Sequence, residues 1–308
     1  MGHRLEDAVK AHRITTLCVV RSEETVVAVG PQDMPMPISS IRKSMISALF
    51  GRLIASGDVQ LTMTLADFGI DDCPCLTDQE RTATLEHLLT ACSGVYLPLH
   101  SEFYDIFRNT PSDWPHRGSA APGTKFHYSN WDFNVLGEIY QRVSGRALFT
   151  AIDGILARPL GFRDWNPLEH TGLRYGYDPL GATPRYPNYA IHLSARDLAR
   201  FGQLYLNDGI WDGSEIVPSD WVRVSTQTRV ETGLPGPFRS YGYLWWTTDG
   251  GDATALPPGS SSAVGLGGQT VSVIPSHQMV IVAQREDRAG GFTQMALPTG
   301  IIDSVLQR

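Results

Sequence analysis

The sequence predicts an α+β sandwich: an antiparallel sheet built from both ends of the chain and flanked by helices, with a mainly helical lobe inserted between. Three observations predict it. Two β-rich runs, Thr15–Arg21 and Thr25–Val29, stand near the N-terminus. Two more fill the stretch 270–284 near the C-terminus. Between them helix signals and proline-rich loops dominate, and no internal repeat is found. The chain therefore reads as a single domain of residues 1–308, with an α/β lobe of 1–60 and 215–308 and a helical lobe of 61–214.

Each element follows from a local signal. Residues 4–12 predict a short helix, and the polar turn Ser22-Glu23-Glu24 joins the first two runs into a hairpin. A proline-rich connection leads into 39–56, where Ile41, Met45, Ala48, Leu49, Arg52 and Leu53 recur at helical spacing. The opposite stripe, Ser40, Lys43, Ser44, Ser47 and Gly51, is small and polar, so something packs or binds closely there. TLEHLLTA (84–91) predicts a helix stopped by Ser93-Gly94, and 131–145 an amphipathic helix ending at Gly145. Ser194-Ala-Arg-Asp197 has the spacing of a capping box and opens a further helix. Then come a strand over 241–248, a Gly/Pro/Ser-rich loop over 249–262, and two strands joined through Pro275-Ser276-His277-Gln278. A helix over 293–308 closes the chain.

Composition bounds the function. The chain of 308 residues is 42% hydrophobic and 19% charged, ordinary for a folded domain with an ample core. A net charge of −7 with no basic run argues against a nucleic-acid partner. No apolar stretch approaches the ~20 residues of a membrane span. The opening MGHRLEDAVKAHR lacks the apolar core of a secretory signal, so a cytoplasmic location is expected. Cys18, Cys73, Cys75 and Cys92 are irregularly placed and read as reduced thiols. The nine histidines lack the spacing of a metal site, so neither metal nor cofactor is expected. The expected partner is a small-molecule substrate, and the expected state a monomer or homodimer.

Of the 25 basic side chains only three are lysines: Lys10, Lys43 and Lys125. A guanidinium stays charged at any working pH, whereas a desolvated ammonium can lose its proton and act as a base. Lys43 stands three residues after Ser40 in the only Ser-x-x-Lys of the chain, one turn away on one helix face. Ser40 also falls in the first turn, where free N–H groups and the helix dipole favour developing negative charge. Downstream, Tyr128-Ser129-Asn130 precedes a helix, and Gly265-Leu266-Gly267-Gly268-Gln269 leads into a strand. There is no G-x-S-x-G elbow.

These three elements, in this order and at these junctions, resemble the β-lactamase and penicillin-binding-protein superfamily of serine hydrolases. SSIRKSMISALFG, TATLEHLLTACSGVY, RGSAAPGTKFHYSNWDFNVLG, LSARDLARFGQLYL and GLGGQTVSVIP are similar to its class C-type branch of esterases and amidases, over residues 38–285. The resemblance implies Ser40 as nucleophile, Lys43 as its base, Tyr128 as a proton relay and Asn130 as the group orienting Lys43. It implies an oxyanion hole from the N–H groups of Ser40 and Gln269, with Gly267 and Gly268 letting substrate lie close. Tyr96 is a candidate for the acyl pocket. The pair Trp245-Trp246 either packs the sheet or lines a pocket, with Trp245 the pocket candidate. The superfamily commonly has Lys-Thr-Gly or His-Thr-Gly where this sequence reads Leu266-Gly267-Gly268, which argues against strong β-lactamase activity. The expected reaction is hydrolysis of a small ester, or less readily an amide, through an acyl-serine. An acyltransferase using the same intermediate and a non-catalytic ligand-binding protein on the same scaffold are the alternatives.

Overall fold

The computed structural model describes residues 2–97, 115–170, 185–186, 188–248, 256–286 and 296–307. Helix α1 (Gly2–Ala11) leads into β1 (Thr16–Arg21), β2 (Glu24–Val29), the short β3 (Met36–Pro37) and α2 (Ile41–Ala55). There follow α3 (Leu85–Leu89), α4 (Asn130–Ser144), α5 (Leu148–Ile152), β4 (His192–Leu193) and α6 (Ala195–Leu206). The remainder is β5 (Ile210–Trp211), β6 (Ser214–Glu215), α7 (Ser219–Ser225), β7 (Val230–Glu231), β8 (Ser240–Tyr241), β9 (Trp246–Thr247), β10 (Ser261–Gly265), β11 (Gln269–Ile274), β12 (Met279–Gln284) and α8 (Thr299–Leu306).

Both termini build one antiparallel sheet of order β2-β1-β12-β11-β10-β9-β8-β7. β1 pairs with β12 from Thr16↔Gln284 to Arg21↔Met279, which joins the two hairpins. β11 and β12 are buried along their whole length and carry apolar residues on both faces, as strands covered on both sides must. On one face lie α2 and α6; a Cβ at Gly202 would stand 2.4 Å from Val280 Cγ1, so α6 sits close because that position is bare. On the other face α1 and α8 pack Leu5, Val9, Ile301 and Val305 against Ile281 and Ala283.

α2 runs through the middle, buried from Ile41 to Gly51 between the sheet, α4 and α7. Its apolar stripe is therefore supplemented by a tightly packed polar one. Gly51 is required there, since a Cβ would meet the Trp221 indole at 2.3 Å.

Four expectations change. Residues 241–248 are not one strand: Leu244 adopts φ +65° in a turn over 242–245, which splits the run into β8 and β9. The expected loop 249–262 contains the start of β10, whose small residues Ser261, Ser262 and Ala263 hide a strand from apolar patterning. Helix α6, expected in the helical lobe, lies on the sheet against β12, β11 and β1. Its cap is also half of what the spacing predicts: Ser194 Oγ accepts from Asp197 N–H at 3.3 Å. The Asp197 carboxylate instead accepts from the N–H groups of Arg163 and Asp164 at 2.9 and 2.8 Å.

Candidate active site

The start of α2 is fixed on two sides. Ile38 N–H donates to Ile191 O at 3.0 Å, and Ser39, at φ +52°, donates through Oγ to Leu266 O at 3.2 Å. Ser40 is the N-cap residue, yet its side chain makes no capping bond. A serine here ordinarily spends its oxygen on a free N–H of the first turn. The Ser40 hydroxyl is instead turned to Lys43, whose Nζ lies 3.0 Å away.

Lys43 is 1% exposed. Its Nζ also donates to Tyr128 Oη at 2.9 Å and Asn130 Oδ1 at 3.0 Å, and stands 4.0 Å from the Phe133 ring centroid. Tyr128 and Asn130 arrive on the segment entering α4, where Ser129 caps the helix by accepting from Trp131 N–H. Burial, and then the Arg42 guanidinium, hold the Lys43 ammonium well below the ordinary lysine range, while Asp132 opposes them. Burial pushes Tyr128 up to about 12, so the phenol keeps its proton at neutral pH and serves as a donor. Ser40, Lys43, Tyr128 and Asn130 are thus brought into one hydrogen-bonded group.

Two charged groups in this environment escape the motif reading. Arg42 is buried, its guanidinium 4.3 Å from the Tyr189 ring centroid and bonded to Asn134 Oδ1 at 3.5 Å. Asp132 accepts from Ser93 Oγ at 2.6 Å, and burial pushes its carboxyl up to about 8. Both sit within two residues of a motif member; only their burial, which spacing does not report, marks them.

The strand side of the site differs from expectation. Gln269 is fully buried on β11, an interior strand; it pairs with Gly265 and its Nε2 donates to Arg285 O at 2.6 Å. Its main chain lies between β10 and β12, away from an open edge. Gly267 and Gly268, at φ +82° and +79°, form the β10–β11 turn, where Gly268 N–H donates to Gly265 O at 3.2 Å. They serve the turn rather than an approach of substrate. The strand beside the nucleophile is β10: a Cβ on Gly265 would stand 2.4 Å from Ile38 O and 3.0 Å from Ser39 Cβ. β9 pairs with β10 only at Ser261 and Ser262. Thr248 N–H donates to Ser260 O, so the main-chain groups of 260, 262 and 264 alternate toward the β9 side. The Val264 N–H therefore points to the part of that edge which β9 leaves open.

Trp245 is fully buried against Tyr205 and Phe201 of α6, centroids 4.4 and 6.0 Å away, and packs the core. Its neighbour Trp246 is the one that stacks on Tyr128, at 5.5 Å and 22°. Tyr96 is 1% exposed, with its ring edge-on to His127 at 5.1 Å, one residue from Tyr128. The loops around 95–120, 165–190 and 232–262, on which substrate choice is expected to depend, lie partly outside the described residues.

The sequence profile of the beta-lactamase family matches residues 4–290. The chain belongs to this family. It is thereby a hydrolase of the beta-lactamase, serine-hydrolase type. It is 29% identical over 175 residues to a 6-aminohexanoate-dimer hydrolase of Paenarthrobacter ureafaciens, covering 54% of this chain and 40% of that one. It is 28% identical over 151 residues to the esterase EstB of Burkholderia gladioli, covering 43% and 38%. The matched spans are thus well under two thirds of those relatives' lengths. Among solved structures, EstCE1, described as a hydrolase with promiscuous acyltransferase activity, shares the beta-lactamase fold with a TM-score of 0.71. It is 17% identical, over 99% of this chain and 98% of that one. No helix among the described residues is long and apolar enough to cross a membrane.

Proposed function

We propose that this beta-lactamase family member hydrolyses a small ester through an acyl-Ser40 intermediate. The observation that carries the reading is the threefold placement of Lys43 Nζ, within 3.0 Å of Ser40 Oγ, Tyr128 Oη and Asn130 Oδ1 in a fully buried setting. A neutral Lys43 donates its two hydrogens to Asn130 and Tyr128 and presents its lone pair to the Ser40 hydroxyl. As Oγ attacks the carbonyl carbon, its proton passes to Nζ and the carbonyl electrons move onto oxygen. The N–H groups of Ser40 and Val264 are the donors for that oxyanion, replacing the expected Gln269. Among the described residues no acceptor takes the Ser40 N–H. Collapse breaks the bond to the leaving alkoxide, which takes a proton from Tyr128 while Lys43 reprotonates the phenol. Water then repeats the sequence on the acyl-enzyme. An alkoxide leaves more easily than an amine, which favours esters over amides.

The test is turnover of a p-nitrophenyl ester panel with labelling by a fluorophosphonate. Ser40→Ala is expected to abolish labelling and to lower kcat by at least about 10⁴-fold. Equal labelling and turnover in wild type and variant sink the assignment, and no turnover or labelling in either leaves a non-catalytic scaffold. Added alcohols or amines separate hydrolysis from acyl transfer by the appearance of the acylated acceptor.

A further inference from the structure

Arg42 and Lys43 are consecutive, both buried, and both in the first turn of α2. The positive end of the helix dipole and the loss of water each oppose a cation there, and the turn holds no acidic residue. Two adjacent basic side chains in such a place call for a reason.

The fold treats the two differently. Lys43 has three oxygen partners at the nucleophile. Arg42 reaches the next turn of α4: its Nη2 lies 3.5 Å from Asn134 Oδ1, and its Nη1 has no hydrogen-bond partner. Among the described residues no carboxylate forms an ion pair with it. Its guanidinium lies instead over the Tyr189 ring, 4.3 Å from the centroid. That seat is built. The Tyr189 hydroxyl donates to Phe133 O at 3.1 Å, and a Cβ on Gly137 of α4 would stand 3.0 Å from Tyr189 Cε1, so the ring fits where that helix is bare. Two residues on, Ile191 O accepts from Ile38 N–H at the entry to α2. Tyr189 thus joins Arg42 to α4 and to the segment that fixes the nucleophile.

We propose that Arg42, seated on Tyr189, is a positioning residue of the Ser40–Lys43 pair: a fixed cation that keeps the neighbouring amine free of its proton and available to Ser40, without touching substrate. The order of the two residues decides which one yields. A guanidinium does not deprotonate, so the like-charge repulsion is relieved only at Lys43. A carboxylate beside Arg42 would cancel the effect, whereas an aromatic ring holds the cation and leaves its charge in place. The other titratable groups around the pair are Tyr128 and Asp132 at the start of α4, Tyr189 before β4, and Tyr241 on β8. Burial pushes the three phenols up, so they stay neutral near pH 7, and Asp132 alone works toward the ammonium.

This role rests on the reading of Lys43 as the base, so the experiment observes Lys43 directly as well as through turnover. The chain has only three lysines; protein isotopically labelled at lysine Cε is titrated by NMR, and Lys43→Met identifies the Lys43 signal. In wild type that signal is expected to titrate below the ordinary lysine range. Arg42→Gln keeps a donor for Asn134 and Arg42→Met keeps the stem; both remove the charge. In both, the Lys43 midpoint is expected to rise by about one unit, and the rising limb of kcat/KM for p-nitrophenyl acetate to move with it. Below that limb the loss is about tenfold, and activity is regained at higher pH. Tyr189→Phe keeps the ring, removes the bond to Phe133 O, and is expected to leave the midpoint in place. A wild-type Lys43 midpoint within the ordinary lysine range overturns the proposal without any Arg42 variant having to fold. So does an unchanged midpoint in folded Arg42→Gln and Arg42→Met, a loss of turnover equal at every pH, or a shift in Tyr189→Phe as large as in Arg42→Gln. A midpoint that moves in protein without any ester turnover supports the hold of Arg42 on Lys43 and removes the hydrolase reading instead.

Discussion

The two faces of β10 treat buried polar groups in opposite ways. On the α2 face, Gly265 lies against the main chain of the nucleophile segment, and the Lys43 amine has three oxygen partners. On the terminal-helix face one residue away, Val264 and Ser262 border open volume, and the Thr270 hydroxyl has no partner. Close packing aligns reacting groups to fractions of an ångström, whereas an open volume leaves its bordering side chains room to change. One strand serves both because alternate side chains leave it in opposite directions.

The α2 face breaks most completely at its base. Lys43→Arg keeps the charge and cannot deprotonate, so kcat/KM for a nitrophenyl ester is expected to fall by about 10³-fold or more. Lys43→Met, which removes the charge and roughly keeps the stem, is expected to fall as far. Retained activity in either variant removes Lys43 from the reaction. Activity of the wild type is expected to rise with pH along a limb set by Lys43, at a pH below the ordinary lysine range, because burial and Arg42 disfavour the ammonium.

A methyl group tests the difference between the faces directly. Gly265→Ala puts a Cβ 2.4 Å from a main-chain carbonyl, so β10 must move away from Ser40. A loss of about 10²-fold in kcat/KM and about 1–3 kcal/mol of stability is expected. Ser272→Thr adds the same methyl on the cavity side and is expected to change stability by less than about 0.5 kcal/mol. Equal costs for the two substitutions, measured by urea unfolding, erase the contrast.

What was legible in the sequence follows the range over which each contact is decided. Ser40 and Lys43 meet because three residues is one helical turn, and Tyr128 and Asn130 travel together on one capped segment. The two-ended sheet was legible from β-rich runs that pair as hairpins. The family resemblance implies Gln269 at the site, yet the register Gly265↔Gln269 puts it one strand inward. That register is set by the turn and by burial on both faces, neither of which is local. Trp245 and Trp246 are indistinguishable as letters; the turn at Leu244 and strand alternation send one into the core and the other onto Tyr128. Arg42 and Asp132 carry no local signal; one is buried by the enclosure of α2 and the other in the first turn of α4.

Asp132 supplies the finest test of the α2 face, because its charge is opposed by burial even though its oxygen is bonded to Ser93. Its carboxyl titrates near 8 when folded and near 3.8 when the environment is lost. The folded state therefore binds more protons between those values, and stability falls as pH rises through that window. Asp132→Asn keeps an acceptor for Ser93 and does not titrate. The variant is expected to match wild type near pH 4 and to become more stable by several kcal/mol toward pH 8. Where Asp132 is ionised it is the one charge named as favouring the Lys43 ammonium, so in that range the substitution is expected to move the Lys43 limb of kcat/KM to lower pH. Urea unfolding at several pH values, with a pH–rate profile alongside, measures both. A variant less stable by the same amount at every pH makes Asp132 a plain hydrogen-bond acceptor with no electrostatic hold on the base.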